Sequence, residues 1–390
     1  MITTDKALAL VLDLAPPPEG EEIAIADALD RVLLAPAVAA LTQPPFDASA
    51  MDGYALRGAD LPGPVQVIGT SSAGHPWQGE ARPGTAVRIF TGAPVPQGYD
   101  RVVMQENVRR EGDRITVSGG SDNPNIRPQG SDFAQGYGFH PHRPLRAGDI
   151  CLLAAMNVPR VQVARRPRVA IMPGGDELVR PGETPGPGQI ICSNDLAIAA
   201  IARKAGAEVT LLPIARDTEE SVTQGFHMAR DADLIVTIGG ASVGDHDFVG
   251  KVAADLGMER AFYKLAMRPG KPLMAGRMGR RAMLGLPGNP VSAIVCATIF
   301  MRPLIYRMQG VDIGTELHRA RLAAPLRPEG DRQHYLRARL VQGDDLPQLH
   351  PFTDQGSSQL KILSQADALM VRPAHDPARE PGEIVEYLAL

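Results

Sequence analysis

The chain has 390 residues, 40 Lys and Arg against 44 Asp and Glu, a formal net charge of −4, 22% charged residues and 4% aromatic ones. That length exceeds one ordinary core and implies several domains. The acidic balance and scarcity of aromatics exclude a general nucleic-acid binder, which needs a basic face and stacking platforms. No window reaches the roughly 18 uninterrupted apolar residues of a membrane span, and the start reads as an amphipathic helix rather than an export signal. Cys151, Cys192 and Cys296 are far apart with no C-x-x-C pair, which points to a reducing cytoplasm.

In chain order, residues 4–14 and 25–33 carry helical periodicity on either side of Ala15-Pro-Pro-Pro-Glu-Gly20. They bear no chemistry, so a structural or dimerising role is expected. From Thr42 the texture changes to a proline-, aspartate- and glycine-rich loop containing Asp47 and Asp52. Short strand-like runs follow at 65–68, 86–89, 101–104 and 115–117, a small β-rich module. Thr91-Gly92 closes one of these strands, and Arg127-Pro-Gln-Gly-Ser-Asp132 ends the module with a similar loop. His140-Pro-His142 is read as a surface turn rather than a metal pair, because no third ligand is near it.

From Arg168 strands alternate with helices. Strand 168–172 leads into Pro173-Gly-Gly-Asp-Glu177, and Ser193 is placed to cap a helix over 194–205. Strand 208–213 precedes Asp217-Thr-Glu-Glu220, a capping-box-like start that offers Asp217 a purely structural use. The apolar run 234–238 is expected to be buried on both faces. Gly239 and Gly240 break it, and Ser242, Asp245 and Asp247 lead into a helix ending near residue 257. These carboxylates either cap that helix or sit beside a phosphate with a divalent cation. Strand 260–267, the turn Arg268-Pro-Gly-Lys-Pro272, strand 282–286 and the turn Pro287-Gly-Asn-Pro290 follow, and then a long apolar helix to residue 307. Beyond residue 316, strands at 319–322, 333–341, 348–351, 368–372 and 383–388 imply a terminal barrel or sandwich.

The fold class expected is a central doubly wound α/β domain, 166–312. It is flanked by an N-terminal domain, 1–45 with 138–165, an inserted β-rich module, 46–137, and a C-terminal β-barrel, 313–390. Strand-end loops of such a sheet share one rim. Here they bring Asp176, Glu177, Asp217, Ser242, Asp245, Asp247, Lys264, Arg268 and Lys271 to one edge. Carboxylates and cations together suit a metal-bridged phosphate or phosphoanhydride; solvated lysines and helix caps are the competing use. No Walker-type loop and no G-x-S-x-G elbow occurs, which argues against P-loop and α/β-hydrolase chemistry.

Six motifs in order, Ser49-Ala-Met-Asp-Gly-Tyr-Ala55, Thr91-Gly-Ala-Pro-Val-Pro96, Gly175-Asp-Glu-Leu178, Gly239-Gly-Ala-Ser-Val-Gly-Asp-His-Asp247, Lys264-Leu-Ala-Met-Arg-Pro-Gly-Lys-Pro272 and Gly285-Leu-Pro-Gly-Asn-Pro-Val-Ser292, resemble the MoeA family. Its members are molybdopterin molybdenumtransferases, with the gephyrin E domain as a eukaryotic relative, and the likeness covers almost the whole chain. The resemblance implies a MogA-like central domain and a cytoplasmic homodimer whose active site is shared between subunits. It implies that adenylylated molybdopterin and molybdate bind, that the phosphoanhydride is cleaved with Mg2+, that AMP leaves, and that molybdenum enters the dithiolene.

Carried over by motif, Asp52, Thr91 and Asp132 reach the cleft from the other subunit. Glu177, Asp217 and Asp247 hold the cation, beside Ser242, Gly239 and Gly240. Lys264, Arg268 and Lys271 neutralise phosphate or molybdate, and Pro287, Gly288, Asn289, Pro290 and Ser292 shape the site. Arg337 and either Ser357 or Ser358 approach the oxyanion from the last domain. Other cofactor-synthesis proteins are candidate partners, with no role for nucleic acid or membrane. Arg268 departs from the lysine many relatives carry, and Ala241 from a frequent valine. The rival readings are a molybdopterin adenylyltransferase, against which the flanking modules speak, and a non-catalytic scaffold, which would not need Asp247 or Lys264.

Overall fold

Leu234–Ile238 is a strand with all five residues buried, as a parallel sheet covered by helices on both faces requires. It lies in the larger of two compact units into which the chain divides: Met1–Glu21, Asp30–Leu34 and Val163–Leu390. The other unit comprises Glu22–Leu29 and Ala35–Gln162. The structure, a computed structural model, describes residues 1–119, 122–240 and 248–390. The larger unit opens with helix α1 (Thr4–Leu12), which begins where the Thr3 hydroxyl accepts from the Lys6 amide at 3.3 Å. The helical periodicity of residues 25–33 yields only a 3-10 turn, Ile25–Asp27. Asp30, at φ 61°, turns the chain, and Leu33 then bridges to Val163 as extended backbone. Tertiary pairing overrides the local pattern there.

In the smaller unit, β1 (Gly53–Leu56), β2 (Val65–Ser71), β3 (Thr85–Ile89), β4 (Arg101–Met104), β5 (Val108–Glu111) and β6 (Arg114–Val117) form one sheet in the order β4-β1-β3-β2-β6-β5. Its strands alternate faces: Tyr54 and Leu56 join one apolar cluster and Ala55 the other. A helix that periodicity did not reveal, α2 (Ala147–Ala155), starts where the Asp149 carboxylate accepts from the Arg146 amide at 2.7 Å and pairs with Arg143 at 2.6 Å.

The larger unit continues through β7 (Arg168–Pro173), α3 (Asn194–Lys204), β8 (Glu208–Leu211), α4 (Glu219–Met228), β9 (Leu234–Ile238), α5 (Phe248–Asp255), β10 (Met258–Lys264), β11 (Met267–Arg268), β12 (Pro272–Met278), β13 (Arg281–Leu286) and α6 (Pro290–Cys296). The sheet order is β8-β7-β9-β13-β12-β10. The first four strands are parallel, and β12 and β10 are added antiparallel. Val169 and Ile171 pack against α1, α3 and α6, whereas Ala170 and Met172 pack against α4 and α5. This is the expected doubly wound layer with an antiparallel margin that was not expected. Ser193 makes no side-chain cap to α3. At α4 the cap is Thr218, whose Oγ1 accepts from the Ser221 amide at 3.2 Å, so Asp217 is released from that structural duty.

From α6 the helix runs through a π turn, Ala297–Met301, into α7 (Arg302–Met308). Among the described residues one helix, Pro290–Met308, is long and apolar enough to cross a membrane, and 78% of its 18-residue apolar window is buried inside the protein. The last segment, β14 (His318–Leu322), β15 (Gln333–Val341), β16 (Gln348–Pro351), α8 (Leu360–Leu363), β17 (Ala368–Arg372) and β18 (Ile384–Ala389), is a closed five-stranded barrel, β15-β16-β14-β18-β17 and back to β15. Leu336, Ala338, Leu349 and Met370 fill it. Tyr335, Leu369 and Leu388 belong instead to the α/β core with Phe300 and Ile305. The short β11 extends the barrel, pairing parallel with Gln333 and His334 of β15. The barrel is thus packed directly against the layer whose strand tips carry the motifs.

Candidate active site

Because β10 is antiparallel to β12, and β12 to β13, the end of β10 and the start of β12 lie on the same rim as the carboxyl ends of β7, β9 and β13. A cavity of ≈ 830 Å³ opens there, in the range of small-molecule sites and at the edge where open α/β sheets bind ligands. Gly174, Gly175, Glu177, Asp217, Gly239, Gly240, Lys264, Lys271 and the Pro287–Pro290 turn all line it.

Two of the glycines are sterically required. Gly239 and Gly240 have φ of 81° and 65°, and a Cβ at either would come within 2.8 Å of the Gly174 carbonyl or of Val249 Cγ2. The backbone therefore passes close over its neighbours and remains open toward the cavity. On the acidic side, the Gly175 amide donates to the Ala215 carbonyl at 3.0 Å and the Asp217 amide to Asp176 Oδ1 at 3.2 Å. This zips the loops after β7 and β8 together and brings Glu177 and Asp217 to one cavity. Among the described residues neither carboxylate forms an ion pair.

On the basic side, Lys264 ends β10 opposite Pro272, and the Leu265 amide donates to the Lys271 carbonyl at 3.3 Å. The loop between the two lysines is held at both ends: the Ala266 amide donates to the Ile2 carbonyl at 2.8 Å, and the Gln333 amide to the Ala266 carbonyl at 3.0 Å. Lys264 Nζ stands 5.6 Å from the Tyr263 ring centroid, and neither lysine forms an ion pair with a described residue. Two ammonium groups and two carboxylates, none in an ion pair with a described residue, thus line one space.

The barrel closes a further side. Ser358 lines the cavity, whereas Ser357 uses its carbonyl to accept from the Val291 amide at 3.0 Å. Arg337 is 1% exposed. It donates to Gln355 Oε1 at 3.2 Å and to the carbonyls of Asp354 and Gln359, and burial lowers its pKa from the usual guanidinium value. It shapes the serine loop from behind. Ser292 is buried in α6, and Arg268 is exposed on β11; neither is among the residues lining the cavity. Ser242, Asp245 and Asp247 lie outside the described residues.

In the smaller unit the Thr91 amide and hydroxyl both donate to Asp52 Oδ1, at 2.8 and 2.7 Å, and hold its carboxyl below the usual carboxylate range. The 43–52 loop is stitched to the loops carrying Thr91 and Asp132. The Gly92 amide donates to the Ser49 carbonyl at 2.8 Å, the Gln129 amide to Asp47 Oδ1 at 2.7 Å and the Asp132 amide to the Gln43 carbonyl at 3.1 Å. His140 and His142 have ring centroids 4.1 Å apart, but no group of three or more metal-binding side chains occurs among the described residues. In the cavity, Glu177 and Asp217 are hard oxygen donors of the kind Mg2+ takes through one or two carboxylates, so the donor chemistry present there fits such an ion.

Three family models match in succession: the MoeA N-terminal region (domain I and II) over residues 2–157, a probable molybdopterin binding domain over 170–307 and the MoeA C-terminal region (domain IV) over 319–390. A molybdopterin molybdenumtransferase of Nostoc sp. is 36% identical over 376 residues, 92% of this chain and 86% of that protein. One of Haemophilus influenzae is 37% identical over 317 residues, 80% and 78% respectively. The chain belongs to the MoeA family. The crystal structure of a molybdopterin biosynthesis MoeA protein from Pyrococcus horikosii superposes with a TM-score of 0.83 at 29% identity, covering 100% of this chain and 99% of that one. Within the MoeA architecture, sequence reasoning missed several cavity-lining residues. Asn194 Nδ2 donates to the Gly288 carbonyl at 2.7 Å and fixes the Pro287–Pro290 turn. Cys192 also lines the cavity, and burial, helped by nearby Asp195, pushes its thiol up to about 12, so it is inert. Leu178, Ile190, Ile191 and Tyr263 add an apolar wall. Of these, Leu178 alone falls in one of the six motifs; the ribbon of Leu178–Val179 with Ile190–Ile191 brings the two isoleucines there.

Proposed function

We propose that this cleft binds adenylylated molybdopterin and molybdate, and that the protein transfers molybdenum to the pterin dithiolene as the phosphoanhydride is cleaved and AMP leaves. The observation that carries the reading is that Lys264, Lys271, Glu177 and Asp217, none of them in an ion pair with a described residue, line one ≈ 830 Å³ cavity. Lys264 and Lys271 meet the anionic groups and offset charge that develops on phosphate oxygens in a partly desolvated space. The open backbone at Gly239 and Gly240 lets phosphate approach the main chain. The Pro287–Pro290 turn, pinned by Asn194, supplies a rigid wall, and Ser358 offers a hydroxyl from the barrel side. Glu177 and Asp217, with Asp247 as a third carboxylate, would hold Mg2+, which when bound neutralises phosphate oxygens and favours departure of AMP.

In this proposal the protein is a cytoplasmic homodimer. Asp52, Thr91 and Asp132 of one copy complete the cleft of the other, the stitched loops presenting Asp52 as an ionised carboxylate. The test is purified protein with adenylylated molybdopterin, Mg2+ and molybdate. AMP release that requires molybdate is the expected result, with a drop of about 100-fold or more in Lys264→Ala. Tight binding without release would identify a scaffold and contradict the proposal.

A further inference from the structure

The loop that carries Glu177 is tied at its edges, the Gly175 amide donating to the Ala215 carbonyl at 3.0 Å and the Ile190 amide to the Glu177 carbonyl at 2.7 Å, while other carbonyls of the turn face inward. The carbonyls of Gly175, Asp176 and Leu178 converge on one point, so their dipoles repel, and the side chains of Asp176 and Glu177 add negative charge on the same turn. What occupies the convergence point is Arg216. Its Nη1 donates to all three carbonyls, at 3.3, 3.2 and 3.1 Å. The residue is itself tethered: its amide donates to Ser221 Oγ in the first turn of α4 at 2.9 Å, and its carbonyl accepts from the Thr218 amide at 2.7 Å. Arg216 forms no ion pair with Asp176, Glu177 or Asp217, and none of the three pairs with another described residue. The guanidinium gathers the loop through its main chain and takes up none of the three carboxylates.

We propose that Arg216 is a positioning residue that sets the divalent-cation affinity of the cleft by holding the 175–178 loop against Asp217. The inference rests on the cation reading given above, and it has a consequence of opposite sign to simple electrostatics. Were Arg216 only a nearby positive charge, its removal would strengthen cation binding. As a clamp, its removal lets Glu177 drift from Asp217, and binding weakens. All three bonds come from the one nitrogen Nη1, so a lysine ammonium, with three hydrogens on a single nitrogen, is expected to replace the clamp in part.

The experiment uses the full chain with Mn2+ as the probe, free ion being read by electron paramagnetic resonance, together with hydrogen exchange of the 174–178 amides in metal-free protein. Expected are Mn2+ binding in the wild type that is lost in Glu177→Gln, and at least a 5-fold weaker affinity in Arg216→Ala that Arg216→Lys partly restores. Exchange at 174–178 is expected to quicken about 10-fold in Arg216→Ala, and less in Arg216→Lys, while exchange in β9 and β13 stays unchanged, a local signature that general destabilisation does not give. Unchanged or tighter Mn2+ binding in Arg216→Ala, or unchanged loop exchange, overturns the role of Arg216 alone. A wild type whose Mn2+ binding ignores Glu177→Gln overturns the cation reading and this role together.

Discussion

Gly270 is the residue on which the lysine-bearing loop turns across α6, and replacing it with alanine isolates that turn. Its φ is +105°, and a Cβ there would stand 2.5 Å from both Cys296 Sγ and Met267 Cε. The methionine tip can swing aside. Cys296 cannot, being fully buried on α6. Holding an L-residue in that backbone region costs about 1–3 kcal/mol, and overpacking a filled core costs another ~1–3 kcal/mol. Gly270→Ala should therefore lose roughly 2–6 kcal/mol, which lowers the melting transition of the larger unit by on the order of 10 °C at ~2–4 °C per kcal/mol for a domain of this size. Calorimetry reads that transition. Cys296→Ala in the same background removes the sulfur but not the backbone strain, so the pair should couple by about 1 kcal/mol or more. AMP release should fall as well, because Lys271 follows directly in the chain. A Gly270→Ala protein melting within about 1 °C of wild type, or a strictly additive double variant, would refute this account of the turn.

Thr91→Val should raise the Asp52 pKa toward the ordinary carboxylate value in an NMR titration, since it removes the hydroxyl donor and keeps the stronger backbone one. A depressed carboxylate stabilises the fold above its unfolded pKa and loses that contribution as pH falls through its folded value, so acid unfolding of the variant should be slightly less steep. Arg372 is 2% exposed and donates to Asp376 Oδ2 at 2.8 Å. Burial pushes the Asp376 carboxyl up, but Arg379 and Arg372 together hold it below the usual range, and Asp376→Asn should cost the barrel about 3 kcal/mol in a denaturant titration. Mixing inactive Asp52→Ala and Lys264→Ala proteins should restore about a quarter of wild-type AMP release through heterodimers with one complete cleft; no recovery after proven subunit exchange would count against a shared site.

The layer order was legible where burial is one-sided or complete. Leu234–Ile238 reads as a doubly covered strand, and Gln333–Val341, Gln348–Pro351 and Ala368–Arg372 stand at the predicted positions. The Gly/Pro loops between elements marked the rim. Pro272–Met278 was missed because Pro272, Gly276 and Arg277 interrupt its apolar run, and α2 because its sequence, AGDICLLAA, is apolar without a clear stripe. Asp217 looked like a helix cap until Thr218 was found in that place. Arg216 and Asn194 carry no motif at all. The partners of their side chains lie 38 or more residues away in sequence, and only the strand order shows why a guanidinium and a carboxamide are needed there.

The most direct test of a ligand site at these strand ends is a hydrogen-exchange footprint of the full-length protein saturated with adenylylated molybdopterin. Slowed exchange should appear at residues 174–178, 239–240, 264–272 and 288–289, the segments surrounding the cavity. Protection confined to other surfaces, with those segments exchanging as in the free protein, would contradict it.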